Sequence, residues 1–239
     1  MKKYLQARKR LSAVAKSLAY KYRDGLDVHK AKHKDLNRSD FLWYCLLRSF
    51  ATMGRSSGWA SLIGDSDNFA QTDYDKLKRL RPRQRVAKLQ KILSNARVIR
   101  WPSRKAGFLS ACLDRIEGMG GLLAAKKKLL NQAGRDKKIA FLDDFPGIGN
   151  KYARNLMMDV YHKDFRDSIA IDSRIKKISE KLGLSFDNYE DEEQFFLAAA
   201  HEANLEGWEL DRLMYNHLKE FLEQLGDGKP KHVANCYRD

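Results

Sequence analysis

Lys151 and Asp172 are the two residues whose types and spacing could carry a covalent reaction. They lie in the stretch FPGIGNKYARNLMMDVYHKDFRDSIAIDSRI, Phe145 to Ile175, where a glycine turn ends in a lysine and an aspartate follows 21 residues later. Lys151 falls in the first turn of an expected helix, at the positive end of its dipole, which disfavours an ammonium. Burial there would lower its pKa and favour a neutral, nucleophilic amine. Asp172 follows the apolar run Ile169-Ala170-Ile171 and precedes SRIKKISEKLGL, whose Ile175, Ile178 and Leu182 mark an amphipathic helix. Asp172 is therefore expected at the N-cap, where hydrogen bonds and the dipole keep a carboxylate ionised. Beside a sugar, such a carboxylate can stabilise an oxocarbenium-like transition state or orient an attacking amine. Taken singly, Asp172 reads as a cap and Lys151 as a solvated lysine; their pairing is what suggests chemistry.

The turn that positions Lys151 can also grip a phosphate. Lys137 to Leu142 reads as a short helix, and Pro146 cannot continue it. Gly147 and Gly149 bracket Ile148, which is expected to point inward, and they permit a tight turn with close approach of a foreign backbone. Asn150 stands where a helix N-cap is favoured, and helical spacing resumes from Lys151. Backbone N–H groups at a helix start beside glycine amides form a phosphate site, and such contacts hold a nucleic-acid backbone without reading its sequence. The candidate DNA-binding residues are thus Pro146, Gly147, Ile148, Gly149 and Asn150. A Gly-x-Gly turn alone is weak, because many helix corners use one.

Together these residues resemble the helix-hairpin-helix DNA glycosylase superfamily, which includes endonuclease III and the 8-oxoguanine glycosylases. Its pattern is a Leu/Phe-Pro-Gly-Ile/Val-Gly-x-Lys hairpin followed about twenty residues later by an aspartate at a helix start. Here it reads Phe145, Pro146, Gly147, Ile148, Gly149, Asn150, Lys151, then Asp172. Weaker similarity extends to Ser103–Leu109 and Gly207–Tyr215. The resemblance implies that Lys151 forms a Schiff base and cleaves the strand as an abasic-site lyase, with Asp172 the essential carboxylate. It implies damaged double-stranded DNA as partner, a monomer, no required cofactor, and a structural potassium or sodium ion at the hairpin as an option. Two departures stand out. Ser173-Arg174 follow the aspartate where relatives often carry x-His, and the four-cysteine iron–sulfur loop of endonuclease III is missing. With the lysine and without that loop, the chain is most similar to compact oxidised-guanine glycosylases, so the expected lesion is 8-oxoguanine. The alternatives are a monofunctional glycosylase for another damaged base and a non-catalytic helix-hairpin-helix DNA-binding protein.

A formal net charge of +15 suits a polyanionic partner, and its distribution says more than its size. From Lys76 through Ala106 there are twelve Lys or Arg residues and no acid, an electrostatic footprint rather than one solvated helix face. Membrane-surface or RNA binding would look similar. A second basic arm covers Lys2 to Lys21, whereas Phe186 to Leu225 is comparatively acidic and is expected to face away from DNA. Cys45 and Cys112 lie in apolar helical runs and read as core thiols. With Cys236 they show no metal or disulfide spacing. His29 and His33 lack a third ligand and read as surface residues, so no metal site is expected. The charged N-terminus lacks a signal-peptide core, and no apolar stretch is long enough to span a membrane. The expected location is intracellular, cytoplasmic or nucleoid in a prokaryote.

Helical periodicity dominates, giving an all-α fold with helices near 3–36, 39–53, 72–80, 84–95, 103–117, 121–133, 137–142, 150–161, 173–182, 190–203 and 207–225. By the resemblance, 40–156 forms one helical domain, which holds the start of the hairpin at 137–161. Residues 1–39 with 157–225 form a second, and 226–239 form a tail. Lys151 and Asp172 would then face each other across an interdomain cleft. The loop Met53 to Trp59 is either a glycine-rich surface loop or the source of a strand-separating wedge, with Arg55 the candidate. Trp43, Tyr44, Phe50, Trp208 and Tyr215 read as helix-packing residues.

Overall fold

The computed structural model describes residues 2–226; Cys236 and all but the first residue of the expected tail lie outside the described residues. The described chain is all-α, with fifteen α-helices, two short 3-10 helices and no strand. In order the helices are α1 (Lys2–Lys21), α2 (Arg23–Lys30), α3 (Phe41–Thr52), α4 (Gly58–Leu62) and α5 (Ser66–Ala70). Next come α6 (Tyr74–Lys78), α7 (Pro82–Asn95), α8 (Pro102–Gly118), α9 (Leu122–Leu130) and α10 (Gly134–Asp143). The last five are α11 (Asn150–Met158), α12 (Ser173–Lys181), α13 (Tyr189–Glu202), α14 (Gly207–Asn216) and α15 (Leu218–Leu225). No helix among them is long and apolar enough to cross a membrane.

The chain divides into two compact units, Val28–Phe165 and Met1–Asp27 with Arg166–Asp239. These divisions fall at 27/28 and 165/166, some ten residues from the 39/40 and 156/157 expected from sequence. Within Val28–Phe165 the centre is α3, whose Phe41, Leu42, Trp43, Cys45, Leu46, Leu47 and Phe50 are all buried. Helices α4, α8, α9 and α11 pack around it. The Trp43 indole N–H donates to the Thr72 carbonyl at 2.8 Å, satisfying its one polar atom inside the core. In the other unit α1 packs against α13, α14 and α15, burying Leu11, Leu18, Phe196, Trp208 and Phe221.

Two helices expected to be continuous are broken, and the breaks at Tyr22 and His217 meet. The 3–36 helix is interrupted at Tyr22, between α1 and α2, and continues beyond Lys30 only as the 3-10 helix Ala31–Asn37. The 207–225 helix breaks at His217, whose backbone leaves helical geometry at φ −123° and ψ 32°. The Tyr22 and His217 rings stack at 3.5 Å, and the Tyr22 hydroxyl bonds Glu220. Periodicity cannot reveal this, because apolar spacing continues through both breaks.

Candidate nucleic-acid interface

The glycine turn joins α10 to α11 and is braced from below by α8. Phe145 and Ile148 are buried, and the Ile148 N–H donates to the Phe145 carbonyl at 2.9 Å. Gly147 is exposed with φ +80°, and a Cβ there would lie 2.6 Å from the Phe108 ring of α8. The Cys112 thiol donates to the Pro146 carbonyl at 3.5 Å, and burial pushes its pKa up to about 12, so it remains a protonated donor. The Arg115 guanidinium sits 5.2 Å over the Phe145 ring and bonds Asp144 at 2.7 Å. Phe145 and Ile148 thus hold the turn from inside, while Gly147, Gly149 and Asn150 face solvent.

One expectation needs correction. The N-cap of α11 is Gly149 in extended geometry (φ −121°, ψ −179°) with no side-chain cap, and Asn150 is already the first helical residue. From there its side chain turns along the helix, where its Oδ1 accepts from Arg154 Nη1 at 3.1 Å. Gly149 itself supplies no capping side chain, and a helix start of this kind has the character of an anion site. Lys151 follows, half-buried, with Nζ 4.2 Å from the centre of the Tyr152 ring.

The two glycines of the turn predict opposite behaviour. Gly147→Ala meets Phe108 in a backbone conformation that L residues resist, and is expected to cost about 1–3 kcal/mol in urea unfolding. A Cβ at Gly149 has nothing closer than Asp143 Oδ1 at 4.0 Å. Gly149→Ala should therefore leave stability within about 0.5 kcal/mol while weakening duplex binding, because its methyl group stands where a phosphate would approach. Equal stability losses in the two variants would contradict this geometry.

A surface leads from the turn along α8. Trp101, Arg104 and Phe108 are spaced to share one helix face. The Arg104 guanidinium lies 5.3 Å over the Phe108 ring, which underlies Gly147. Trp101 is 57% exposed with φ +54° and its indole covers Gly54, where a Cβ would come within 2.8 Å of Cζ3. Beneath it Lys105 is only 1% exposed; its ammonium donates to the Met53 carbonyl at 2.7 Å, and loss of solvation lowers its pKa to about 8. Arg97, Arg100 and Arg104, all within four residues of Trp101 in sequence, are exposed, and Arg55 is exposed in the loop that Lys105 holds.

The acid-free run is thus less uniform than its sequence. Arg85 is buried and bonded to Ser110 at 2.8 Å and to Asp114, Lys78 pairs with Asp75, and Lys105 serves the fold. Sequence reasoning missed Trp101. Its signal was an aromatic residue set between Arg100 and Pro102, at the break between two helices.

Asp172 belongs to the other unit and caps α12. Its Oδ1 accepts from the Arg174 N–H at 2.8 Å and the Ile175 N–H at 3.1 Å. Both bonds use Oδ1, leaving Oδ2 with no hydrogen bond among the described residues. The acids of the segment 186–225 are not all at the surface. Glu192, Glu193 and Asp211 are buried, with Glu192 accepting from Ser179 at 2.7 Å. Lys151 and Asp172 therefore stand in separate units, each fixed by its own surroundings. Among the described residues no cluster of His, Cys, Asp and Glu could hold a metal ion. Comparison with protein-family models, with curated proteins and with solved structures finds no match.

Proposed function

We propose that the chain is a helix-hairpin-helix DNA glycosylase with abasic-site lyase activity, acting as a monomer on damaged double-stranded DNA. The observation that carries this reading is the combination of a braced glycine turn leading into Lys151 with an Asp172 cap that leaves one carboxylate oxygen open. The turn holds a phosphate near the lesion, and the damaged nucleotide leaves the stack so that C1′ can be reached. Lys151 Nζ attacks C1′ as the N-glycosidic bond breaks and the base departs with the bonding pair. Asp172 stabilises the positive charge that develops on the sugar. Loss of a proton from nitrogen and opening of the sugar ring yield the Schiff base. This acidifies the 2′ hydrogen, whose removal expels the 3′ phosphate by β-elimination. No step requires a metal or organic cofactor. A sodium or potassium ion, where bound, would sit on the carbonyls of the turn and offset phosphate charge. An oxidised purine such as 8-oxoguanine is the base that the sequence pattern favours.

Trp101 adds what the sequence reading sought at Arg55. A largely exposed indole held rigidly over Gly54, with arginines beside it, is suited to stack on a nucleobase. Trp101→Ala is expected to weaken duplex binding roughly tenfold, since stacking contributes about 1–3 kcal/mol per base. Unchanged affinity in fluorescence anisotropy would make it an ordinary surface residue.

The function is tested by sodium borohydride reduction of the protein mixed with duplexes carrying an abasic site or 8-oxoguanine. A covalent protein–DNA adduct is the expected result. Binding without adduct or cleavage would leave a DNA-binding protein, and base release without adduct would leave a monofunctional glycosylase.

A further inference from the structure

Asp172 owes its place to the segment before it, Ser168 to Ile171, which is irregular backbone buried inside an all-α unit. Buried backbone N–H groups must find acceptors, and with no strand to pair with, these must come from elsewhere. Three consecutive N–H groups find them on side chains of α13 and α14. The Ile169 N–H donates to Glu193 Oε1 at 3.0 Å, and the Ala170 N–H to Asp211 Oδ1 at 2.8 Å. The Ile171 N–H donates to the Tyr189 hydroxyl at 2.9 Å, which in turn donates to the Ile169 carbonyl at 2.9 Å. Tyr189 and Glu193 lie four residues apart, on one face of α13.

Glu193 is 1% exposed and Asp211 3% exposed. Carboxylates are costly to bury, and leucine would fill either site if the only need were packing. What these residues supply is a set of fixed acceptors along the peptides immediately before Asp172. We infer that Tyr189, Glu193 and Asp211 are positioning residues that orient Asp172, and through it the open Oδ2, for the reaction proposed above. This rests on that reading for its chemistry, whereas the orienting contacts can be tested without it.

The first measurement is amide hydrogen exchange on the full chain carrying Tyr189→Phe, which keeps the ring and removes only the hydroxyl. If the bonds orient Asp172, exchange accelerates about tenfold at Ile171 and also at Arg174 and Ile175, whose N–H groups Asp172 caps. Faster exchange at Ile171 alone would show a local bond with no hold on Asp172 and would overturn the inference. The second is single-turnover base release from a lesion-bearing duplex. Tyr189→Phe is expected to lower the rate about tenfold with duplex affinity within twofold. Glu193→Gln, which retains an acceptor, should stay within about threefold of wild type, and Glu193→Leu should not. A wild-type rate in Tyr189→Phe overturns the inference, as does a fall matched by lost affinity and stability. Wild-type protein inactive on every duplex defeats the proposed reaction instead, and the exchange pattern then decides the orienting role by itself.

Discussion

Lys151→Gln is expected to abolish the borohydride-trapped adduct on an abasic duplex, by on the order of 10³-fold or more, because no other group is assigned to attack C1′. Duplex affinity should change by less than about threefold, since the phosphate grip comes from the turn and its arginine neighbours rather than from one ammonium. Fold stability should also hold, because Lys151 is only half-buried and glutamine suits the first turn of a helix. Asp172→Asn is the companion variant. Asparagine keeps an oxygen for the Arg174 and Ile175 N–H groups, so the α12 cap survives while the charge is lost. Base release should fall steeply with binding retained. Adduct formation by Lys151→Gln at the wild-type level would remove this lysine from the mechanism and direct attention to other amines.

Gly58→Ala is expected to be the most damaging single-methyl change in the fold. Gly58 opens α4, and a Cβ there would lie 1.9 Å from the Ala51 carbonyl oxygen and 2.8 Å from its carbon. Both are backbone atoms of α3, the helix at the centre of its unit, and neither can step aside as a side chain would. The expected loss is about 3 kcal/mol in urea unfolding, at the upper end of overpacking effects. Ser57→Ala, one residue earlier and exposed, should stay within about 0.5 kcal/mol. The damage should also reach DNA binding, since α4 ends the loop whose Met53 carbonyl Lys105 holds and whose Gly54 lies under Trp101. A wild-type unfolding midpoint for Gly58→Ala would refute the close approach of the two helices.

The loop that contains Gly58 shows why some of this protein is legible in its sequence and some is not. As a string, Met53-Gly54-Arg55-Ser56-Ser57-Gly58-Trp59 is a glycine-rich loop with one arginine worth noting. In the structure one glycine permits α4 to meet α3, the other lies beneath an indole 47 residues away, and a buried lysine fastens the chain at Met53, just ahead of both. Each of these is a contact between residues distant in sequence, which local composition does not encode. The same limit explains the broken helices at Tyr22 and His217 and the buried acids of α13 and α14, whose contacts join residues far apart in sequence.

What the sequence by itself determined is whatever depends on neighbours a few residues apart. The all-α class follows from apolar spacing, the end of α10 from Pro146, the turn from Gly147, and the cap of α12 from an aspartate ahead of Ile175 and Ile178. Even the shift of the α11 cap from Asn150 to Gly149 is an error of a single residue. Only the tertiary structure decided which lysines and arginines face solvent, that Trp101 stands exposed among arginines, and that three side chains from α13 and α14 hold the backbone leading to Asp172. Helix periodicity states which face is apolar but not what that face meets, and burial, charge solvation and backbone pairing all depend on what it meets.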